Sequence, residues 1–298
     1  MLSAFPLTPL RNDQVDEPAF LRIIQRLATS GVDSITVLGS TGCAAYLSPD
    51  ERDRVATLAV QQASEVPVWV GVSDLRTSRV LQHVESAERA GAAGILLAPM
   101  SYQPLTENDV FELFRTISAR TSLPITVYDN PGTTHFTFTQ ELYGRIASLP
   151  GIVSIKIPPA PGDRATTRKR IDGLRAILPE HVGIGISGDA AAATALLAGC
   201  DTWYSVIAGT LPLAALSITE PAARSDAEAT VAASERLEPL WALFARYGGS
   251  LRVVAAIAEQ LGLAAKDSLP LPIQGLDADA RSHVASVLRE LNIHDESR

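Results

Sequence analysis

Few residues in this chain are equipped for covalent chemistry, and lysine is among the scarcest of them. There are three, Lys156, Lys169 and Lys266. Lys169 lies in the charged run Thr167-Arg168-Lys169-Arg170, a solvated helical face, and Lys266 lies in a loop between helices. Lys156 instead interrupts the apolar run Gly-Ile-Val-Ser-Ile-Lys-Ile-Pro at 151–158, near its carboxyl end. Period-two alternation sets it on one strand face with Ser154 and Ile152. An ammonium turned into a sheltered interior loses hydration, so its pKa falls, and the neutral amine that results attacks carbonyls. The chemistry this points to is a Schiff base with a 2-oxoacid. The same spacing also fits an outward-facing lysine whose stem lies along the surface while its head reaches water.

Three further polar clusters end apolar runs. In Tyr128-Asp129-Asn130-Pro131, a phenol beside an iminium could shuttle protons once its environment lowers its pKa; a rim tyrosine bonded to a backbone carbonyl fits equally. In Gly39-Ser40-Thr41-Gly42, small residues let N–H groups and hydroxyls converge on a carboxylate, although an ordinary turn has the same composition. Ser187-Gly188-Asp189 is the third. Gly183-x-Gly185-x-x-Gly188 matches a dinucleotide fingerprint, but these glycines fall inside a strand pattern and no acidic residue follows at ~20 positions, so no nucleotide is expected. The histidines (His83, His135, His181, His283, His294) are scattered, and only His135 closely follows the carboxyl end of an apolar run. No C-x-x-C pair is present, so neither a metal nor a cofactor is expected. Cys43 reads as a small buried thiol rather than a nucleophile.

What must position these groups is a repeated unit. Eight β-branched or apolar runs, at 3–8, 34–39, 67–72, 94–99, 124–130, 152–158, 182–188 and 202–209, recur about every 30 residues with amphipathic stretches between them. Several are apolar almost throughout, as strands covered on both faces are. Ser48-Pro49-Asp50-Glu51 and Thr106-Glu107-Asn108-Asp109 carry helix-start signals. Eight βα units predict an α/β fold, a (β/α)8 TIM barrel rather than an open doubly wound sheet, with its chemistry at the carboxyl ends of the strands. Helical patterns follow at 213–223, 226–247, 251–261 and 277–291. The first closes a barrel over 1–223, and the rest form a C-terminal helical region over 224–298 packed on it.

Composition narrows the partners. The chain has 298 residues, 46% of them hydrophobic and 19% charged, and a net charge of −8. That balance argues against nucleic acid and against an anionic membrane surface. Two cysteines cannot frame a disulfide scaffold. The start Met1-Leu2-Ser3-Ala4-Phe5-Pro6 lacks a basic leader region, and the longest run of small apolar residues, 190–200, is too short for a bilayer. The expectation is a cytoplasmic protein with no membrane partner.

Taken in order, Phe5-Pro6-Leu7-Thr8-Pro9, Gly39-Ser40-Thr41-Gly42, Leu47-Ser48-x-x-Glu51-Arg52, Tyr128-x-Asn130-Pro131, Ile155-Lys156 and Ser187-Gly188-Asp189 resemble the dihydrodipicolinate synthase / N-acetylneuraminate lyase family of class I aldolases. The resemblance covers the whole barrel and loosely extends over 251–275. It implies a (β/α)8 barrel, usually a homotetramer or a homodimer, acting without a metal on pyruvate or a pyruvate-derived 2-oxoacid. Carried over position by position, it makes Lys156 the imine-forming residue and Tyr128 the proton shuttle. Ser40 and Thr41 bind the pyruvyl carboxylate, Thr41 also belongs to the catalytic set, and Gly188 and Val206 line the substrate site. Tyr102 corresponds loosely to a tyrosine that joins the proton relay across a subunit contact.

Three departures bear on the substrate. Cys43 stands where the family usually has glutamate, and Ile157 where an acidic residue commonly follows the lysine. Members that condense pyruvate with aspartate semialdehyde typically carry an arginine where this chain has Thr133, and a neutral side chain cannot replace a bidentate guanidinium. The expectation is therefore a pyruvate-type aldolase, lyase or dehydratase. The condensation with aspartate semialdehyde is the alternative, and Cys43 and Ile157 also leave open a barrel that binds 2-oxoacids without catalysis.

Overall fold

The computed structural model describes residues 1–293. Eight parallel strands, β1 (Leu2–Ala4), β2 (Ser34–Val37), β3 (Val68–Gly71), β4 (Gly94–Leu97), β5 (Ile125–Tyr128), β6 (Ile152–Ile157), β7 (Gly183–Ile186) and β8 (Thr202–Ser205), pair in chain order and close β8 onto β1. A helix follows each strand: α1 (Glu17–Ala28), α2 (Pro49–Gln62), α3 (Thr77–Ala90), α4 (Glu107–Ser118), α5 (Gln140–Ala147), α6 (Arg164–Arg175), α7 (Ala192–Leu197) and α8 (Pro212–Ala223). The expected (β/α)8 barrel is present. Its helices start where the sequence says. Ser48 accepts from the Glu51 N–H while the Glu51 carboxylate accepts from the Ser48 N–H at 2.8 Å, with Pro49 in the first turn of α2.

The strands are shorter than the apolar runs, and the difference is functional. At the carboxyl end the chain leaves the ladder to build loops. Pro6 has no N–H to continue β1. After β7 the backbone turns at Gly188, whose φ of +83° suits glycine. The run at 202–209 stops at Ser205 because the Asp189 carboxylate takes the next two N–H groups, from Val206 and Ile207. A hairpin of Leu10–Arg11 and Gln14–Val15, turning through Asn12 and Asp13 at φ +53° and +61°, was not foreseen.

The inside of the barrel is not uniformly aliphatic. Its lower layer is hydroxylated: Ser3 pairs with Thr36 at 2.8 Å and Ser154 with Tyr204 at 2.7 Å, around a cavity of about 250 Å³. The upper layer is Phe5, Leu96 and Tyr204, with the two rings edge to face at 5.9 Å. Gly185 makes room for the Tyr204 ring, because a Cβ there would sit 2.2 Å from its Cε2. The glycine pattern at 183–188 therefore serves packing within β7 and the turn after it.

Beyond α8 come α9 (Ala227–Arg236), α10 (Glu238–Arg246), α11 (Ser250–Gln260) and α12 (Ala278–Glu290). The continuous helix expected over 226–247 is broken at Leu237. Pro239, in the first turn of α10, has no N–H for the preceding turn, so Leu237 ends one helix and starts the next. Leu240, Trp241, Val253, Val254 and Ile257 bury themselves in the same cluster as the barrel helices. No helix among the described residues is long and apolar enough to cross a membrane.

Candidate active site

Lys156 points inward. The reason is a bulge in β6: Ile125 pairs with Ile152 but Thr126 pairs with Ser154, leaving Val153 extra. Ser154 and Lys156 therefore share the interior face. Ile152, expected on that face by simple alternation, packs instead in the large core with Ile155 and Ile157. The Lys156 side chain is 3% exposed. Its Nζ lies 4.3 Å from the centre of the Tyr128 ring, 4.9 Å from Phe5 and 5.8 Å from Tyr204. Desolvation draws its pKa down from 10.5 to about 7, and the Asp189 carboxylate opposes that fall. Near neutral pH about half of this amine is unprotonated, the form that adds to a carbonyl.

Asp189 was read in the sequence only as part of a polar strand end. It is 4% exposed and accepts from Trp203 Nε1 at 3.0 Å, the Ser205 hydroxyl at 3.2 Å, the Val206 N–H at 3.1 Å and the Ile207 N–H at 2.8 Å. Burial still raises its pKa against those donors. It ties the β7 loop to the end of β8 and sets a negative charge near Lys156. Phe5 and Tyr204, which shelter the amine from below, were also missed; an aromatic residue entering an apolar strand looks like ordinary core until the barrel closes.

Tyr128 is directly opposite Lys156 in the ladder. Its hydroxyl accepts from Asn130 Nδ2 at 2.8 Å and lies 3.3 Å from Ser40 Oγ. The other Asn130 amide proton goes to Thr133 Oγ1 at 2.9 Å. Burial raises the Tyr128 pKa, where the sequence reading supposed a lowered one, so the group enters chemistry as a protonated phenol, a donor first. Asp129 faces the other way, behind the strand, where the Tyr143 hydroxyl donates to it.

The Ser40-Thr41 turn sits beside this pair. Its bend is tight, with Leu38 and Cys43 at φ +58° and +55° and the Cys43 N–H on the Ser40 carbonyl at 3.1 Å. Ser40 is exposed to the mouth and Thr41 is buried. Cys43 is 1% exposed, packs with Leu7, Ala255 and Leu269, and has its thiol pushed up to about 12 by burial, which leaves it unreactive. Gly188 and Val206 border the same opening as Lys156, and Thr133 borders a side pocket with Ser40 and Tyr128. Tyr102 is 91% exposed and is not among the residues lining the mouth of this single chain.

Among the described residues no group of three or more His, Cys, Asp or Glu side chains could hold a metal ion. His83 pairs with Asp74 at 3.1 Å and His283 with the Tyr247 hydroxyl at 2.9 Å, while His294 lies outside the described residues. The arrangement is a sheltered amine and a proton-carrying phenol at one opening, with a hydroxylated turn that reaches the phenol from the side pocket.

Comparison with known proteins points the same way. Residues 1–291 match the model of the dihydrodipicolinate synthetase family. The chain is 28% identical over 289 residues to a 4-hydroxy-tetrahydrodipicolinate synthase of Methylococcus capsulatus, covering 96% of each. A crystal structure of dihydrodipicolinate synthase from Agrobacterium tumefaciens C58 is 40% identical, with TM-score 0.93 and 97% of each chain covered. A structure described as a monomeric dihydrodipicolinate synthase variant is 25% identical, with TM-score 0.87 over 98% of this chain and 96% of that one.

Proposed function

This chain belongs to the dihydrodipicolinate synthetase family of class I aldolases, and on that premise we propose that Lys156 forms an imine with pyruvate or a pyruvate-derived 2-oxoacid while Tyr128 moves the protons. The observation that carries the proposal is the burial of Lys156 at 3% exposure against three aromatic rings, with its pKa near 7.

In the cleavage direction a 4-hydroxy-2-oxoacid enters with its carboxylate on the Ser40-Thr41 turn. The neutral amine adds to C2, and Tyr128 gives its proton to the C2 hydroxyl, which departs as water. When the C3–C4 bond breaks, its electron pair flows into the iminium to form an enamine, the C4 hydroxyl proton returns to Tyr128, and an aldehyde leaves. Tyr128 then protonates C3. Water adds to C2, restores the Tyr128 proton, and releases pyruvate and the free amine. Ser40 Oγ, 3.3 Å from the Tyr128 hydroxyl, and Asn130 Nδ2, 2.8 Å from it, hold that hydroxyl in place for these transfers.

The name of the Methylococcus relative supports a second reading, condensation of pyruvate with aspartate semialdehyde. Thr133, bonded to Asn130, offers no cation for the second carboxylate, so we hold the first reading. We also propose an assembly of two or four copies in the cytoplasm. The exposed Tyr46, Leu75 and Tyr102 would lie at its contacts, Tyr102 reaching a neighbouring site, and the buried unpaired thiols Cys43 and Cys200 fit a reducing compartment. Borohydride reduction in the presence of pyruvate, followed by peptide mapping, tests the imine. An adduct on Lys156 supports the reading, and an unmodified chain removes it in favour of a barrel that binds without chemistry.

A further inference from the structure

The opening at Lys156 continues into a crevice of about 680 Å³, far more than a pyruvyl group fills and within the range of pockets that bury whole small molecules. It passes between the loop 158–161 and the start of α7 and ends beneath Trp241 and Phe244 of α10. The loop wall is Pro158, Pro159 and Pro161. Pro159 stands over Gly188, where a Cβ would meet its Cγ at 2.9 Å. The far wall is aromatic: Trp241, held by its indole N–H on the Ser234 carbonyl at 3.2 Å, lies 5.9 Å from the Phe244 ring.

Charge is scarce along this route. Among the described residues the charged side chains lining it are Lys156, Arg170 and Asp189. Lys156 is the reacting amine. Asp189 is buried under its four donors and repels anions. Arg170 donates to the Pro158 carbonyl at 2.7 Å, which steadies the proline loop, and its charge acts on Asp129 behind β5. With one Nη of Arg170 held on the Pro158 carbonyl, no second free-standing cation lines the crevice, among the described residues, to clamp a further carboxylate or phosphate. Apolar walls of this kind reward each buried methylene by about fourfold in binding and penalise an unpaired anion.

We propose that the part of the 2-oxoacid beyond the bond that breaks is uncharged and mainly apolar, and that it lies in the crevice between the proline loop and Trp241. This inference rests on the imine reading and assigns Pro159, Ala190 and Phe244 as residues that set specificity. The aldehyde released or consumed is then an uncharged aliphatic or aromatic one.

The test uses the whole chain in two stages. Borohydride trapping with pyruvate comes first; without an adduct on Lys156 the imine reading fails and takes this inference with it. With an adduct in hand, kcat/KM is measured for pyruvate with butanal and benzaldehyde against succinic and aspartate semialdehydes. The expected result is a preference for the uncharged aldehydes of at least ~10-fold. Ala190, exposed beside the crevice, is then changed to arginine. Ala190→Arg is expected to raise kcat/KM for the acidic semialdehydes ~10-fold or more relative to the uncharged aldehydes. An unaltered chain that forms the adduct yet prefers the acidic aldehydes overturns this inference alone, as does an Ala190→Arg protein with an unchanged ratio.

Discussion

Replacing Lys156 by methionine is expected to abolish imine formation and to make the protein more stable. A lysine whose pKa falls from 10.5 in the unfolded chain to about 7 in the fold binds its proton less readily when folded. At pH 6 the ammonium is therefore buried at a cost on the order of 5 kcal/mol. The Phe5, Tyr128 and Tyr204 rings, with centres 4.3 to 5.8 Å from Nζ, return roughly 0.5–1 kcal/mol each. Methionine has a similar length and no charge, so it fills the space against those rings without that cost. The net gain is about 2–3 kcal/mol at pH 6, a rise in Tm of about 5 °C for a protein of this size. The sign of the pH dependence follows from linkage. Between about pH 7 and 10.5 the unfolded chain holds the proton that the fold has lost, so the stability of the unaltered protein climbs with pH and its deficit against Lys156→Met closes. Thermal unfolding of the two proteins at pH 6, 7.5 and 9.5 measures this. A methionine variant that is less stable at pH 6, or a difference that does not change with pH, would refute the reasoning about desolvation.

Tyr128→Phe is expected to keep the adduct with pyruvate but to lower turnover by ~10² or more, because the phenol that carries the proton is gone and the Asn130 amide loses the oxygen it donates to at 2.8 Å; steady-state kinetics with mass analysis of the trapped adduct separates the two effects. Asp189→Asn turns an NH2 group toward donors that the carboxylate now satisfies, and should cost on the order of 3 kcal/mol in chemical denaturation. The same change removes the negative charge that holds the Lys156 pKa up, so trapping in the folded variant should begin at lower pH than in the unaltered protein. Gly185→Ala sets a Cβ 2.2 Å from Tyr204 Cε2 and must push that ring, lowering stability by roughly 1–3 kcal/mol and loosening the floor under Lys156; unchanged unfolding would show that the ring has room to spare.

Much of the fold was legible because each βα unit repeats its own signals: an apolar strand, a capped helix start such as Ser48-Pro49-Asp50-Glu51, and another strand. Lys156 was legible because so few lysines compete and one breaks an apolar strand. The direction in which it points was reached by a count that overlooked the extra residue Val153, and the inward result survived because Ser154 and Lys156 both lie beyond the bulge. What surrounds the amine was not legible. Phe5 lies 151 residues before Lys156, Tyr204 48 after it and Asp189 33 after it; pairing of β6, β7 and β8 brings the last two near the amine, and closure of β8 onto β1 brings Phe5. The break at Leu237 was readable in principle from Pro239, which period-3.6 counting passed over. The glycines at 183–188 show the opposite hazard, a pattern with a chemical meaning elsewhere that here leaves space for an aromatic ring.

The central claim is that one buried amine titrates near neutrality and bonds covalently to a 2-oxoacid. Borohydride trapping with pyruvate across pH 5 to 9, read by peptide mapping, addresses both halves at once. The account predicts modification at Lys156 that rises with pH to half its maximum near 7 and is absent in Lys156→Ala. A label on Lys169 or Lys266, or trapping at Lys156 that begins only near the pH of an ordinary lysine, would contradict it.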